Sequence, residues 1–189
     1  MQRTIIAALV GAVILFIYQA MSWIALPIHK DAMKYTSNQD SVIAYLSKHL
    51  PEDGMYGMPI APKNASAEEH KAMMDKGMGK PFAMINYHAA MKGDMAGNMI
   101  IGFIINLIAT FIIAMLLVRT SGIYTSFGAR LMIVMGFSIV IICQSFLMEL
   151  NWMGSPMHYI MGWIIDALLG WLLCGIWLAW YTGRKKAGA

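Results

Sequence analysis

Charge is what this sequence has least of: Asp, Glu, Lys and Arg make up 13% of its 189 residues, where soluble domains carry about 25%. An ordinary water-facing surface is excluded for most of the chain. Cysteine is nearly absent, with Cys143 and Cys174 the only two, so a disulfide framework is excluded as the source of stability. Nucleophile elbows, phosphate-binding glycine loops and zinc-protease motifs are missing. The basic residues exceed the acidic ones by four but never gather into a patch wide enough for a nucleic-acid groove. Nucleic acid is therefore not an expected partner.

What is abundant is apolar: 59% of the residues are hydrophobic, and the mean hydropathy is +0.59. The apolar residues concentrate in four windows, 4–26, 98–118, 131–148 and 157–182. The first three carry no charge, and the fourth carries Asp166 alone. A hydrocarbon core of about 30 Å needs about 20 helical residues, and lipid accepts only helices or closed barrels. No window alternates like a barrel strand. The expected fold class is an all-α integral membrane protein. It is a four-helix transmembrane bundle with a small, mostly helical exported segment between helices 1 and 2. The first window, behind Arg3, is longer than a signal-peptide core and lacks a small-x-small cleavage site, so a retained anchor is expected.

Orientation follows from the basic residues. Arg3, Arg119, Arg130, Arg184, Lys185 and Lys186 flank the windows on one side, with no acid among them. The other side holds residues 27–97, where eight Lys balance eight Asp and Glu. Lys and Arg excess in short flanks marks the cytoplasm. Both termini, the 119–130 loop and the basic 183–189 tail are thus expected inside. The 27–97 segment and a short 149–156 turn are expected on the periplasmic side of a bacterial inner membrane.

Within 27–97, Val42, Tyr45, Leu46 and Leu50 recur at helical spacing until Pro51 ends the pattern, which predicts an amphipathic helix. Residues 51–64 read as loop. Ser66 and Glu69 form a capping box that opens a second short helix. The stretch from Pro81 to His88 is ambiguous between strand and irregular chain. About 70 residues of this kind bury little core, so the segment is expected to cap the bundle or dock on a partner.

Polar residues inside the windows concentrate in the outer half: Gln19, Asn98, Gln144, Ser145, Glu149, His158 and Asp166, counted at about 1.5 Å per residue. Asp166 is the most informative, because a buried acid in a membrane helix faces protein or water. It lies on an i, i+4 ridge with His158, Gly162, Gly170 and Cys174, whose small residues admit a close neighbour. Gln19, Gln144, Glu149, His158 and Asp166 form the candidate cluster. It is read either as a proton or ligand site, with Glu149 or His158 as the partner of Asp166, or as hydrogen-bonded glue, with Gln19, Asn98 or Gln144.

No cofactor is predicted, and the residues would admit two. Thioether and imidazole suit Cu(I), and His88, Met91 and Met95 would share a face if that stretch were helical. Yet nine of the chain's 19 methionines fall in 27–97, little more than its length would claim. A haem near the outer surface would need His29 and His158 as its two ligands.

The stretches Met33-Lys34-Tyr35-Thr36, Ser66-Ala67-Glu68-Glu69-His70 and Tyr87-His88-Ala89-Ala90-Met91 resemble those of uncharacterised four-helix inner-membrane proteins of bacteria. The resemblance implies the topology and a bacterial source, and no activity. With an apolar inner half and no catalytic constellation, the expected role is a non-catalytic accessory subunit. It would pack in the lipid bilayer against the other subunits of a larger membrane complex, a respiratory one among the candidates. The alternatives are a periplasmic-side copper or small-ligand binder, and a small membrane enzyme using Glu149, Asp166 and His158 as acid and base.

Overall fold

The structure, a computed structural model, describes residues 1–91 and 93–184; Lys92 and the basic residues Lys185 and Lys186 lie outside them. The chain divides into two compact units, Met1–Lys34 with Asp94–Ala189, and Tyr35–Gly93.

The first unit is helical. It contains α1 (Gln2–Ile24), a 3-10 turn (Pro27–His29) and α4 (Met95–Arg119), and then α5 (Phe127–Ile141), a π turn (Ile142–Leu147), α6 (Met148–Met153) and α7 (Met157–Gly183). Four helices are long and apolar enough to cross a membrane: α1, α4, the continuous stretch Phe127–Met153, and α7. Each apolar window lies on one of them, with ends shifted by a few residues.

Local chemistry sets those ends. Pro27 lacks the N–H that a continuing helix needs, and α1 stops three residues before it. Asp94 accepts a hydrogen bond from the Gly97 amide at 2.9 Å, and Ser126 accepts one from Ala129 at 3.1 Å; both are N-caps. The turn expected over 149–156 contracts, because the helix runs on to Met153 and ends where Gly154 takes a left-handed conformation at φ 66°. Glycine adopts that conformation without a Cβ penalty.

The packing places the first and last spans in the middle. α1 lies against both α4 and α7, while α5 packs on α7. Small residues make this approach possible. A Cβ on Gly11 would stand 3.2 Å from Cys174 Sγ and 3.3 Å from Thr110 Cγ2, so α1, α4 and α7 meet there. On α7, Gly170 faces Tyr18 of α1, and Gly175 faces Leu131 and Val134 of α5. The core gathers Ala7, Ala8, Leu15, Ile113, Leu117, Val134, Cys174 and Leu178.

The second unit is less helical than expected. It has α2 (Gln39–His49) and α3 (Ala67–Gly77), together with a hairpin of β1 (Gly54–Met58) and β2 (Ala83–Tyr87). The strands pair antiparallel, from Gly54 opposite Tyr87 to Met58 opposite Ala83. Part of the expected 51–64 loop is thus a strand. Its partner lies some 30 residues on, and two of its five residues are glycine, which disfavours a strand reading. The capping box of α3 is formed: Glu69 accepts from the Ser66 amide at 2.7 Å, and Ser66 accepts from the Glu69 amide at 3.2 Å. Neither helix buries a residue.

Candidate functional site

Asp166 organises the polar centre of the helical unit. It is the tenth residue of α7, about 13 Å along the axis from Met157. Three donors converge on its carboxylate. Ser22 Oγ donates to Oδ1 at 2.5 Å, and the Tyr18 hydroxyl donates to the same oxygen at 3.1 Å. His29 Nε2 meets Oδ2 at 2.8 Å. Tyr18 and Ser22 are four residues apart on α1 and so share the face turned to α7. The chain leaves α1 at Ile24, and the 3-10 turn begun by Pro27 brings His29 back over that face.

The imidazole is enclosed. Trp23 stacks on it with centroids 4.0 Å apart and planes 4° from parallel, and Trp163 meets it edge-on at 5.4 Å. The side chains of His29 and Asp166 are 3% and 10% exposed. Gly162 lies under the ring: a Cβ there would stand 2.7 Å from His29 Nδ1. The carboxylate opposite Nε2 assigns the proton of the neutral ring to that nitrogen. Nδ1 is then a bare lone pair, which fits its burial without a hydrogen-bond partner. A proton there would point at the Gly162 Cα with nothing to accept it.

Serine, histidine and aspartate are all present, but their connectivity is wrong for nucleophilic catalysis. In a hydrolytic triad the imidazole bridges hydroxyl and carboxylate, so that it can take the hydroxyl proton. Here the carboxylate is the bridge, and both Ser22 and His29 spend their donors on it. The arrangement ties α7 to α1 and to the turn that follows α1. It satisfies a carboxylate whose burial would otherwise be costly.

The remaining candidates are dispersed. Gln19 exchanges two hydrogen bonds with Asn106 of α4, at 2.7 and 3.4 Å. Glu149 accepts from Ser155 Oγ at 2.8 Å. Gln144 lies exposed in the π turn and His158 exposed at the start of α7. The expected cluster therefore resolves into separate contacts, and the partners of Asp166 are none of those named from the sequence. Of the ridge, His158 is exposed, while Gly162 meets His29 of the turn after α1, and Asp166, Gly170 and Cys174 face α1 itself, through Tyr18 and Gly11. Further ties follow the same pattern. Thr110 donates to the Ala8 carbonyl, Ser138 to that of Ala167, and Trp177 Nε1 to that of Ala7.

In the second unit His88 Nδ1 lies 3.2 Å from Asp53 Oδ2, and the Ala89 amide donates to Asp53 at 2.8 Å. Residues 88–91 are irregular, Met91 is fully exposed, and Met95 opens α4. The condition on which His88, Met91 and Met95 would share a helical face is therefore not met over residues 88–91. Among the described residues no three His, Cys, Asp or Glu gather as metal ligands.

Tyr18, Ser22 and His29 were the residues that sequence reasoning did not attach to Asp166. The i, i+4 spacing of the two hydroxyls was the available signal. Comparison with known proteins adds nothing to the geometry: no family model, no curated protein and no solved structure matches this chain.

Proposed function

We propose that this chain is a non-catalytic subunit of a larger membrane assembly in the bacterial inner membrane. Both termini lie in the cytoplasm, and the 27–97 segment offers a docking surface outside. One observation carries the reading: the carboxylate of Asp166 is fully engaged within the chain, while Gln144 and Ser145 of the third span are turned outward. Asp166, the group an enzyme would need, already accepts three donors. Gln144 and Ser145, by contrast, lie exposed in the π turn of the span that buries least of itself.

An amide facing hydrocarbon is costly, and a hydrogen-bonding helix removes that cost. The same face is shaped for close approach. Gly128 and Gly136 meet only open space, and Met132 between them is 70% exposed. π turns are themselves concentrated at functional positions. The partner fits along Gly128, Met132, Gly136 and Val140 with its own polar group opposite Gln144.

A photo-crosslinking residue at Val140 tests this in native membranes. One discrete adduct is expected there and none from the same residue at Ile104 of α4, whose side chain is also exposed. Gln144→Leu should abolish the adduct while the chain stays folded. Equal diffuse labelling at Val140 and Ile104 would contradict the reading.

A further inference from the structure

At the end of the helical unit opposite Asp166, α1 begins, α7 ends and α5 takes its first turn. Arg3 donates from Nε and Nη2 to the Tyr181 carbonyl, at 3.3 and 2.8 Å, and also to that of Arg184. The Arg184 guanidinium lies 3.6 Å above the Trp180 ring. Arg130 lies against Gly183, where a Cβ would collide with its guanidinium. It is 4% exposed. Among the described residues its Nε is buried without a partner, and its Nη2 reaches only the Ser121 carbonyl, at 3.5 Å. That is too long for a strong hydrogen bond.

Among the described residues of the helical unit, no acidic side chain pairs with these three cations. The sequence has ten Asp and Glu, and none falls in 1–30, 95–148 or 167–189. Asp166, the nearest on α7, is about 26 Å from Gly183 along the axis. The C-terminal carbonyls of α7 supply the equivalent of about half a negative charge, which leaves most of the positive charge uncompensated. Buried guanidinium without a counter-charge is among the costliest arrangements in a fold.

We infer that Arg3, Arg130 and Arg184 form a binding site for a phosphate group, and that an anionic phospholipid headgroup occupies it. Arginine matches phosphate because its planar fork donates two parallel hydrogen bonds to the anion's oxygens. The surroundings select lipid over soluble phosphate. Trp180, exposed, lies under the Arg184 guanidinium, and Trp177 packs against both Trp180 and Tyr181. Trp and Tyr settle where headgroups meet acyl chains. A phosphate there carries its chains along the apolar flank of α7.

The test uses the full chain, purified in neutral detergent and stripped of lipid, with native mass spectrometry and thermal unfolding as readouts. The probes are phosphatidylglycerol, diacylglycerol with the same chains, and inorganic phosphate. One phosphatidylglycerol per chain should be retained and should raise the unfolding temperature, while diacylglycerol does neither. Arg184→Gln, at an exposed side chain, should weaken retention about fivefold, the effect of one basic contact at a membrane surface. Arg130→Gln should abolish the gain. If that variant does not fold, Arg184→Gln decides alone. Equal retention of phosphatidylglycerol and diacylglycerol, or no change in Arg184→Gln, overturns the proposal. Stabilisation by inorganic phosphate at the level of phosphatidylglycerol overturns the lipid assignment and gives the site to a soluble phosphate.

Discussion

His29 Nε2 stands 2.8 Å from Asp166 Oδ2 across 137 residues of chain, and the opposite ring nitrogen of His29 faces the bare Cα of Gly162, one turn before Asp166. One helix thus grips both edges of the imidazole. Its carboxylate takes the proton-bearing side, and its glycine makes room for the other.

Asp166→Asn and Asp166→Leu should separate by degree. Asn keeps the size and one acceptor for Ser22 and Tyr18, but its amide meets the His29 N–H as donor against donor. Shifting the ring proton to Nδ1 would aim it at Gly162, so Asn costs about 1 kcal/mol and Leu about 3 kcal/mol. Equilibrium unfolding in mixed micelles measures both. Equal losses would show that the donors on Asp166 do not matter.

Gly162→Ala places a methyl 2.7 Å from His29 Nδ1, so the ring must move. A loss of about 1–3 kcal/mol is expected, as for overpacking elsewhere. In a His29→Ala background the same substitution should cost almost nothing. A double-mutant cycle with no coupling would place the strain somewhere other than the ring.

Gln19 and Asn106 satisfy each other between α1 and α4. Gln19→Leu and Asn106→Leu should each destabilise by leaving the other amide unpaired. The double replacement should be no worse than either single one. The coupling should be about 0.6 kcal/mol, the typical value for membrane hydrogen bonds. Strictly additive losses would mean that the pair is not formed in the membrane.

Topology is checked in a chain whose two native cysteines are replaced by alanine. A cysteine at Lys63 should react from outside intact spheroplasts with an impermeant thiol reagent, and one at Ser126 should react only after lysis. Labelling of Ser126 in intact cells would invert the orientation drawn from Arg3, Arg119, Arg130 and Arg184.

The four spans were legible because the bilayer imposes one requirement, about 20 apolar helical residues, and composition alone displays it. Asp166 was legible for the same reason, as the lone charge in its window. Its partners were not, because counting residues along a helix gives depth and says nothing of azimuth. Gln19, Gln144 and Glu149 fall in the same outer half by that count, yet Gln19 bonds Asn106, Gln144 is exposed and Glu149 bonds Ser155, while Tyr18 and Ser22 bond the carboxylate. His29 required knowing that Pro27 folds the chain back instead of leading it away. The strand Gly54–Met58 was hidden differently: its glycines argue against extension locally, and only pairing with Ala83–Tyr87 decides otherwise.

The central place of α1 and α7 also bears on how the protein is made. A ribosome delivers α1 first and α7 last, so the hydroxyls of Tyr18 and Ser22 enter the bilayer while Asp166 is still untranslated. Until then α4 has α1 to lean on, but α5 has been inserted without the helix it packs against. α7 packs against both α1 and α5, so those contacts, and the hydrogen bonds of Tyr18 and Ser22 to Asp166, can form only once α7 has been made. A nascent chain arrested before residue 157 should therefore be open to membrane proteases, and completion of α7 should end that exposure.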